Sequence, residues 1–359
     1  MLQTARTVAI ATVIVALLAG TRRLSFSEEP DNRLGSTTSD SRREAIFAQP
    51  SAFKLVFSPK TGVHGHVIVR GPDTWHMFYG SSTRPKGEWI SHATSPDLLT
   101  WTRQKPVLQR GGPGNWDYGE MGTALTVTEH QRKWYLFFQG KPPGQRSRRI
   151  GLAVSDDLWH WRRVPDVATP VFTPDPAWSG YTETSGAQYC KDPWVIRYKD
   201  KFLLYYVCLN KAGDSCVAVA TSTDLIHWDD QGPVATVPWI PDDLMGPAGF
   251  ENPRVVQRQG KFYMFAMYFW GVQCAVSDDP FHFESFRVMG PWHASVIFQD
   301  AGRWYITHAH QNVGKPSIRG LGRRPPYRGL YIAGLVWAQD FPFTTDLRDV
   351  MEGWPNERK

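Results

Sequence analysis

Five residues with acid/base chemistry stand just ahead of short Val/Ile-rich runs: Glu120, Asp192 and Glu251, with His64 and His293. Aligned on the Val/Ile pairs, His64, Met121, Asp192, Asn252 and His293 take one equivalent position, and Glu120 and Glu251 take the position before it. A protonated carboxyl beside an ionised one can donate a proton at one atom and accept one at another. Imidazole titrates near neutrality, so His64 is a further candidate base. Asp117, in Asn115-Trp116-Asp117-Tyr118-Gly119-Glu120-Met121, is another. Each has an ordinary alternative, since carboxylates at strand starts cap turns and buried histidines serve as hydrogen-bonded structural groups. No Cys/His spacing resembles a zinc site.

Positioning such dispersed groups requires a repeat. Ser95-Pro96-Asp97-Leu98-Leu99-Thr100-Trp101 recurs as Ser155-Asp156-Asp157-Leu158-Trp159-His160-Trp161 and as Ser222-Thr223-Asp224-Leu225-Ile226-His227-Trp228. Ser277 to Phe283 is a degenerate fourth copy, and Ala338 to Phe343 reads as a fifth. The aspartates lie 60, 67, 55 and 61 positions apart. Each copy follows an aromatic run (from Thr74, Lys133, Lys201, Lys261 and Arg303), and each of those follows a shorter run (from His66, Thr123, Trp194, Arg254 and Ser295). Short runs rich in Val, Tyr and Phe between turn residues predict antiparallel strands. Five such sheets, each covering its neighbour's face, predict an all-β, five-bladed β-propeller of four-stranded antiparallel blades. The repeated Asp is expected to cap a turn, with the Trp or Phe wedged between blades. In a propeller the starts of the innermost strands converge on one end of the axis, which is where a site belongs.

The 359-residue chain is ample for such a ring, and its 16 Trp suit both core and sugar faces. A formal charge of +6 would fit an anionic partner, but the basic residues are interspersed with acidic ones, clustering only at Arg146 to Arg149 and Arg319 to Arg328. No nucleic acid is expected as a partner. Residues 1–24 read as a signal peptide or N-terminal anchor, because Val8 to Gly20 is apolar but shorter than a membrane span. Residues 25–51 read as a polar linker, 52–345 as the propeller and 346–359 as a tail. The expected location is secreted or periplasmic, or membrane-anchored facing outside or the lumen if the segment stays uncleaved; membrane contact is expected through that segment alone. Cys208 and Cys216 flank one turn on neighbouring strands, so a disulfide there and four buried free thiols both fit.

In combination these motifs resemble the five-bladed propeller glycosidases of the clan containing glycoside hydrolase families 43, 32, 62 and 117, family 43 above all. Lys191-Asp192-Pro193 is similar to the Asp-Pro start of the blade carrying the auxiliary aspartate. Phe250-Glu251-Asn252-Pro253 resembles the blade bearing the general acid, and Gly290 to Val296 with His308-Ala309-His310 resembles the last-blade histidine motifs. The resemblance implies that Glu251 is the general acid, its pKa raised, and that Asp192 tunes and orients it. Family members carry a base aspartate in the first blade, where this chain has Val63-His64-Gly65-His66. Glu120, favoured by its register with Glu251, Asp117 or His64 is the replacement base.

His66, Trp116, Arg254, Trp270 and His293 are expected to contact sugar. The resemblance implies no required cofactor, with a structural calcium in the central channel placed near His293 and His308. The expected activity is hydrolysis of an O-glycosidic bond of a pentose, furanose or related sugar in an oligo- or polysaccharide, anionic polymers included. The alternatives are a carbohydrate-binding propeller without activity and a glycoside phosphorylase.

Overall fold

The computed structural model describes residues 52–351 apart from 81–86, 146, 167–168, 182–189, 240–248, 269–270, 291 and 310–328. The segments read as signal and linker, Trp270, His310, the second basic cluster and the end of the tail lie outside the described residues.

Five antiparallel sheets form the expected propeller. The innermost strands are His64–Arg70, Glu120–His130, Lys191–Tyr198, Glu251–Arg258 and Val296–Asp300. Each turns back into an aromatic strand: Trp75–Gly80, Lys133–Lys141, Lys201–Leu209, Lys261–Tyr268 and Arg303–His308. Tight hairpins make three of these reversals, with positive φ at both central residues: Gln131 and Arg132, Gln259 and Gly260, Ala301 and Gly302. Such turns match the right-handed twist of the strands they join.

The third strands reveal the five-fold equivalence. Ala93, Ala153, Ala220, Ala275 and Ala333 pair with Met77, Leu136, Leu204, Met264 and Ile306. These in turn pair with Ile68, Val127, Val195, Val255 and Ile297 on the innermost strands. A small residue at mid-blade leaves room for the neighbouring blade's aromatic side chains. Five apolar clusters result, one at each junction between successive blades, including that between the fifth and the first.

Three blades have four strands and two have five, a refinement of the expected four throughout. In the first, Leu108–Gln109 adds to the third strand. In the fifth, Leu330–Ala338 pairs along one stretch with Lys54–Phe57 and along the next with Phe341–Thr345. The outer strand of that blade is therefore composite, half from each end of the described chain. The start of the predicted tail also belongs to the propeller, because Leu347 is buried and Val350 and Met351 pack beside it.

The repeated Asp caps its turn. Asp97 Oδ1 accepts the N–H groups of Leu99 and Thr100 at 2.8 and 2.7 Å, and Asp224 those of Ile226 and His227 at 2.9 and 2.8 Å. Asp157 repeats the arrangement. The following leucines, Leu98, Leu158 and Leu225, take φ of 68°, 66° and 67°, and each carbonyl accepts the indole N–H of its motif's Trp. Trp161 then meets Phe78 of the preceding blade edge-on at 5.3 Å, and Trp228 meets Phe137 at 5.7 Å. The fifth copy departs from this: Gln339 and Asp340 both have positive φ and run directly into the strand Phe341–Thr345. Asp224→Ala is expected to destabilise the protein by about 1–2 kcal/mol, two orphaned amides being the cause, as a lowered urea midpoint will show.

Cys208 and Cys216 face each other in register, as the sequence suggested, and all four cysteines are buried free thiols.

Candidate functional site

The innermost strands share a bulge at their starts. His64, Lys191 and Glu251 pair with Gly80, Val207 and Met267, and the ladder then skips. The skipped residues Gly65, Asp192 and Asn252 have φ of 49°, 59° and 48°, and Ala294 after His293 has 51°. His64, Lys191, Glu251 and His293 are therefore the true equivalents, while Asp192 belongs with Asn252, Gly65 and Ala294. Alignment on Val/Ile pairs missed this by one residue, because such a pair carries no phase. The first and fifth blades use its second member at the equivalent position, and the third and fourth use its first. In the second blade the bulge is longer, with Gly122 to Ala124 between the paired Met121 and Leu125. Glu120 thus does not share Glu251's register, contrary to expectation.

At the head of the axis, Lys191 Nζ lies 2.7 Å from Glu251 Oε1 and 3.7 Å from Asp192 Oδ2. His293 Nε2 is 3.8 Å from Glu251 Oε2, and the His64 and His293 rings are 6.2 Å apart. Glu251 is the open member, its side chain 42% exposed, whereas Asp192 is fixed. Asp192 Oδ2 accepts the Asn252 N–H at 3.0 Å, and its own N–H donates to Gln139 Oε1 at 2.8 Å, tying together three blades.

The charges around Glu251 act opposite to the raised pKa expected for it. Burial pushes its pKa up, but the Lys191 ammonium, then His293 and His64, outweigh this and hold the carboxyl well below the usual range. Burial likewise opposes the charge on Lys191, and the Glu251 and Asp192 carboxylates more than compensate, raising its pKa. This direction is the reverse of the raised pKa that the resemblance implied.

The other candidates divide. Glu120 is held by Arg148 at 3.3 Å and Lys141 at 3.5 Å. Asp117 is wholly buried, bound to Arg163 at 2.7 Å and accepting the Gly111 N–H at 3.0 Å. It is a structural clamp, out of reach of a substrate or a water it might activate. Trp116 is buried and stacked on Phe138, so it is core and no sugar platform. His66 and Arg254 are also fully buried, below the opening, and cannot touch a saccharide there. His66 Nε2 meets Thr307 Oγ1 at 2.7 Å.

The calcium expectation does not fit either. Calcium takes six to eight oxygen ligands, whereas His308 is buried, stacked on Tyr331 at 4.7 Å and edge-on to Phe53 at 4.6 Å. Among the described residues no group of three or more His, Cys, Asp or Glu could hold a metal, and the Arg254 guanidinium lies on the same axis. Lys191, the centre of the charge cluster, was missed as a site residue although it begins the Lys-Asp-Pro motif itself.

No family model and no curated protein matches the sequence. The solved structures give the fold. A GH32 beta-fructofuranosidase of Bombyx mori superposes with a TM-score of 0.60 at 16% identity, covering 86% of this chain and 68% of that one. A thermostable family-43 glycoside hydrolase gives 0.60 at 16%, covering 80% and 96%. An endo-arabinase from Bacteroides thetaiotaomicron gives 0.59 at 15%, covering 80% and 99%. The chain has the five-bladed propeller fold of these glycoside hydrolases.

Proposed function

We propose that the protein is a glycoside hydrolase cleaving an O-glycosidic bond of a pentose- or furanose-type sugar in an oligo- or polysaccharide. The observation that supports this most is the convergence of Glu251, Lys191, Asp192, His293 and His64 from four blades on the end of the axis where an open carboxylate meets solvent. Relatives in fold named as arabinase, fructofuranosidase and family-43 hydrolase add to it.

Hydrolysis breaks the bond from the anomeric carbon to the leaving oxygen, which takes up a proton, while water adds hydroxyl to that carbon and gives its proton to a base. Glu251, held ionised, is assigned as the base. His64 from the first blade, its ring 6.2 Å from that of His293, is assigned as the donor to the leaving oxygen. Asp192, fixed by Asn252 and Gln139, stabilises positive charge on the sugar ring.

Wild type is expected to release reducing sugar from at least one member of a panel of aryl pentosides, fructosides and plant and algal polysaccharides, anionic ones included. Lys191→Met removes the charge that keeps Glu251 ionised, so the acid limb of kcat/KM against pH should move up by about 1–2 units. An unmoved acid limb in an active Lys191→Met enzyme excludes Glu251 as the base.

A second reading has its own support: the first blade offers His64 where a carboxylate would stand, and Glu120 is engaged by two cations. On that reading the protein binds saccharide without cleaving it. Oligosaccharide binding by calorimetry with no turnover of any panel member would establish it. Turnover only with added phosphate would instead make the enzyme a phosphorylase.

A further inference from the structure

Beneath the opening, the inner strands carry a buried cation with no anion against it among the described residues. Arg254 is fully buried, its guanidinium lies 4.8 Å over the Trp194 ring, and its Nη1 donates to the Pro253 carbonyl at 2.9 Å. Among the described residues its Nε and Nη2 have no hydrogen-bond acceptor. These two groups form one edge of the guanidinium, the edge that binds anions side-on through two parallel N–H donors. No carboxylate among the described residues forms an ion pair with it. Asp192 acts on it only through space.

Two more buried polar atoms, His66 Nδ1 on the first inner strand and Ser295 Oγ just before the fifth, have no partner among the described residues. Counted back from the equivalent Ile68 and Ile297, His66 and Ser295 stand at one level of the first and fifth blades, neighbours across the ring closure. Arg254 belongs to the fourth blade, which does not adjoin the first, so its electrostatic effect on His66 acts across the axis.

We propose that the Nε/Nη2 edge of Arg254, with His66 Nδ1 and Ser295 Oγ, forms an axial binding site for a small monovalent inorganic anion, chloride in the natural setting. A buried guanidinium left unpaired is among the costliest arrangements in a protein interior, and neutral water does not compensate its charge. Although burial lowers its pKa to about 10, Arg254 keeps its charge at neutral pH. The histidine adapts to the anion. Thr307 Oγ1 donates to the Val296 carbonyl at 3.3 Å and stands 2.7 Å from His66 Nε2; with the anion bound, this hydroxyl turns its proton to Nε2, and Nδ1 then carries the hydrogen that faces the ligand. The same guanidinium repels a divalent cation, so the site replaces the calcium position expected from sequence. This assignment is independent of the glycosidase reading.

The test uses the full chain. Crystals soaked in bromide are expected to show an anomalous peak in contact with Arg254 Nε and Nη2. In solution, chloride replacing gluconate at constant ionic strength should raise Tm saturably, by ~5 °C at about a hundredfold excess over Kd. Ser295→Ala should weaken the chloride midpoint about fivefold, the loss of one neutral hydrogen bond, and Arg254→Met should abolish the dependence. If Arg254→Met does not fold, the bromide map of the wild type and the Ser295→Ala titration still decide. Anomalously silent density at the guanidinium edge, or a Tm indifferent to chloride, overturns the proposal.

Discussion

Glu251→Gln is expected to lower kcat/KM by ~10²–10⁴-fold, the usual contribution of a positioned acid or base. The amide keeps the shape of the side chain and removes both its charge and its proton affinity. Because Lys191 is left with Asp192 alone at 3.7 Å, a modest fall in Tm should accompany the loss of activity. The pH profile separates chemistry from packing. A merely structural Glu251 would leave kcat per folded molecule unchanged, and full turnover in the folded variant would remove Glu251 from the reaction. Oligosaccharide binding should survive in the variant, since the neighbouring His64, His293 and Lys191 remain.

Acid should destabilise this protein early, between about pH 6.5 and 4. His76 and His92 are stacked at 5.1 Å between the first two blades, with Nδ1 of one 2.9 Å from Nε2 of the other and the edge of Trp159 against both rings. Burial lowers the pKa of His76 to about 4, with Asp157 partly opposing, and lowers that of His92 to about 3, His76 adding to the effect. Burial, with Arg254, His308 and His64, takes His66 to about 3. The unfolded chain binds protons at these residues below about pH 6.5 and the native state does not, so stability falls as pH falls through that window. Each group contributes a slope of at most about 1.4 kcal/mol per pH unit, about 4 for the three. At lower pH the capping aspartates Asp97, Asp157 and Asp224 join in. Burial acts against their charge, but their amide and side-chain hydrogen bonds hold their pKa below the ordinary value, so this stabilisation is lost as pH drops through the acid range. Urea midpoints at pH 7, 5.5 and 4.5 measure the effect, and His92→Phe should flatten it. A midpoint constant from pH 7 to 4.5 would falsify the assignment of these histidines as neutral.

The propeller itself was legible because its caps are local. Asp97, Asp157 and Asp224 bond amides two and three residues away, so each turn is written in one short motif. The strands between them are short aromatic and aliphatic runs, buried along most of their length, which need no partner to recognise. The site was less legible because its electrostatics is long-range. Asp117 is neutralised by Arg163, 46 residues on, and Glu120 by Arg148, 28 residues on. Neither pairing leaves a trace in spacing. The one-residue error at the strand starts has a conformational cause: positive φ at Gly65, Asp192, Asn252 and Ala294 is achieved with four residue types, of which only Gly announces it. The strand Lys54–Phe57 was hidden for a related reason, being four residues long and recognisable only by its partner at the far end of the chain.

That pairing has a consequence for how the protein is made. Synthesis delivers residues 54–57 before any blade exists, and their ladder partner, Leu330–Ala338, arrives after the first four sheets have been translated. On the ribosome the nascent ring therefore stays open, with an unpaired segment at its start and an uncovered sheet face at its growing end. Such surfaces invite association with other chains until closure. Completion of the fold is thus tied to completion of the message: a chain ending before about residue 330 holds most of the blades but lacks the ladder that joins its two ends.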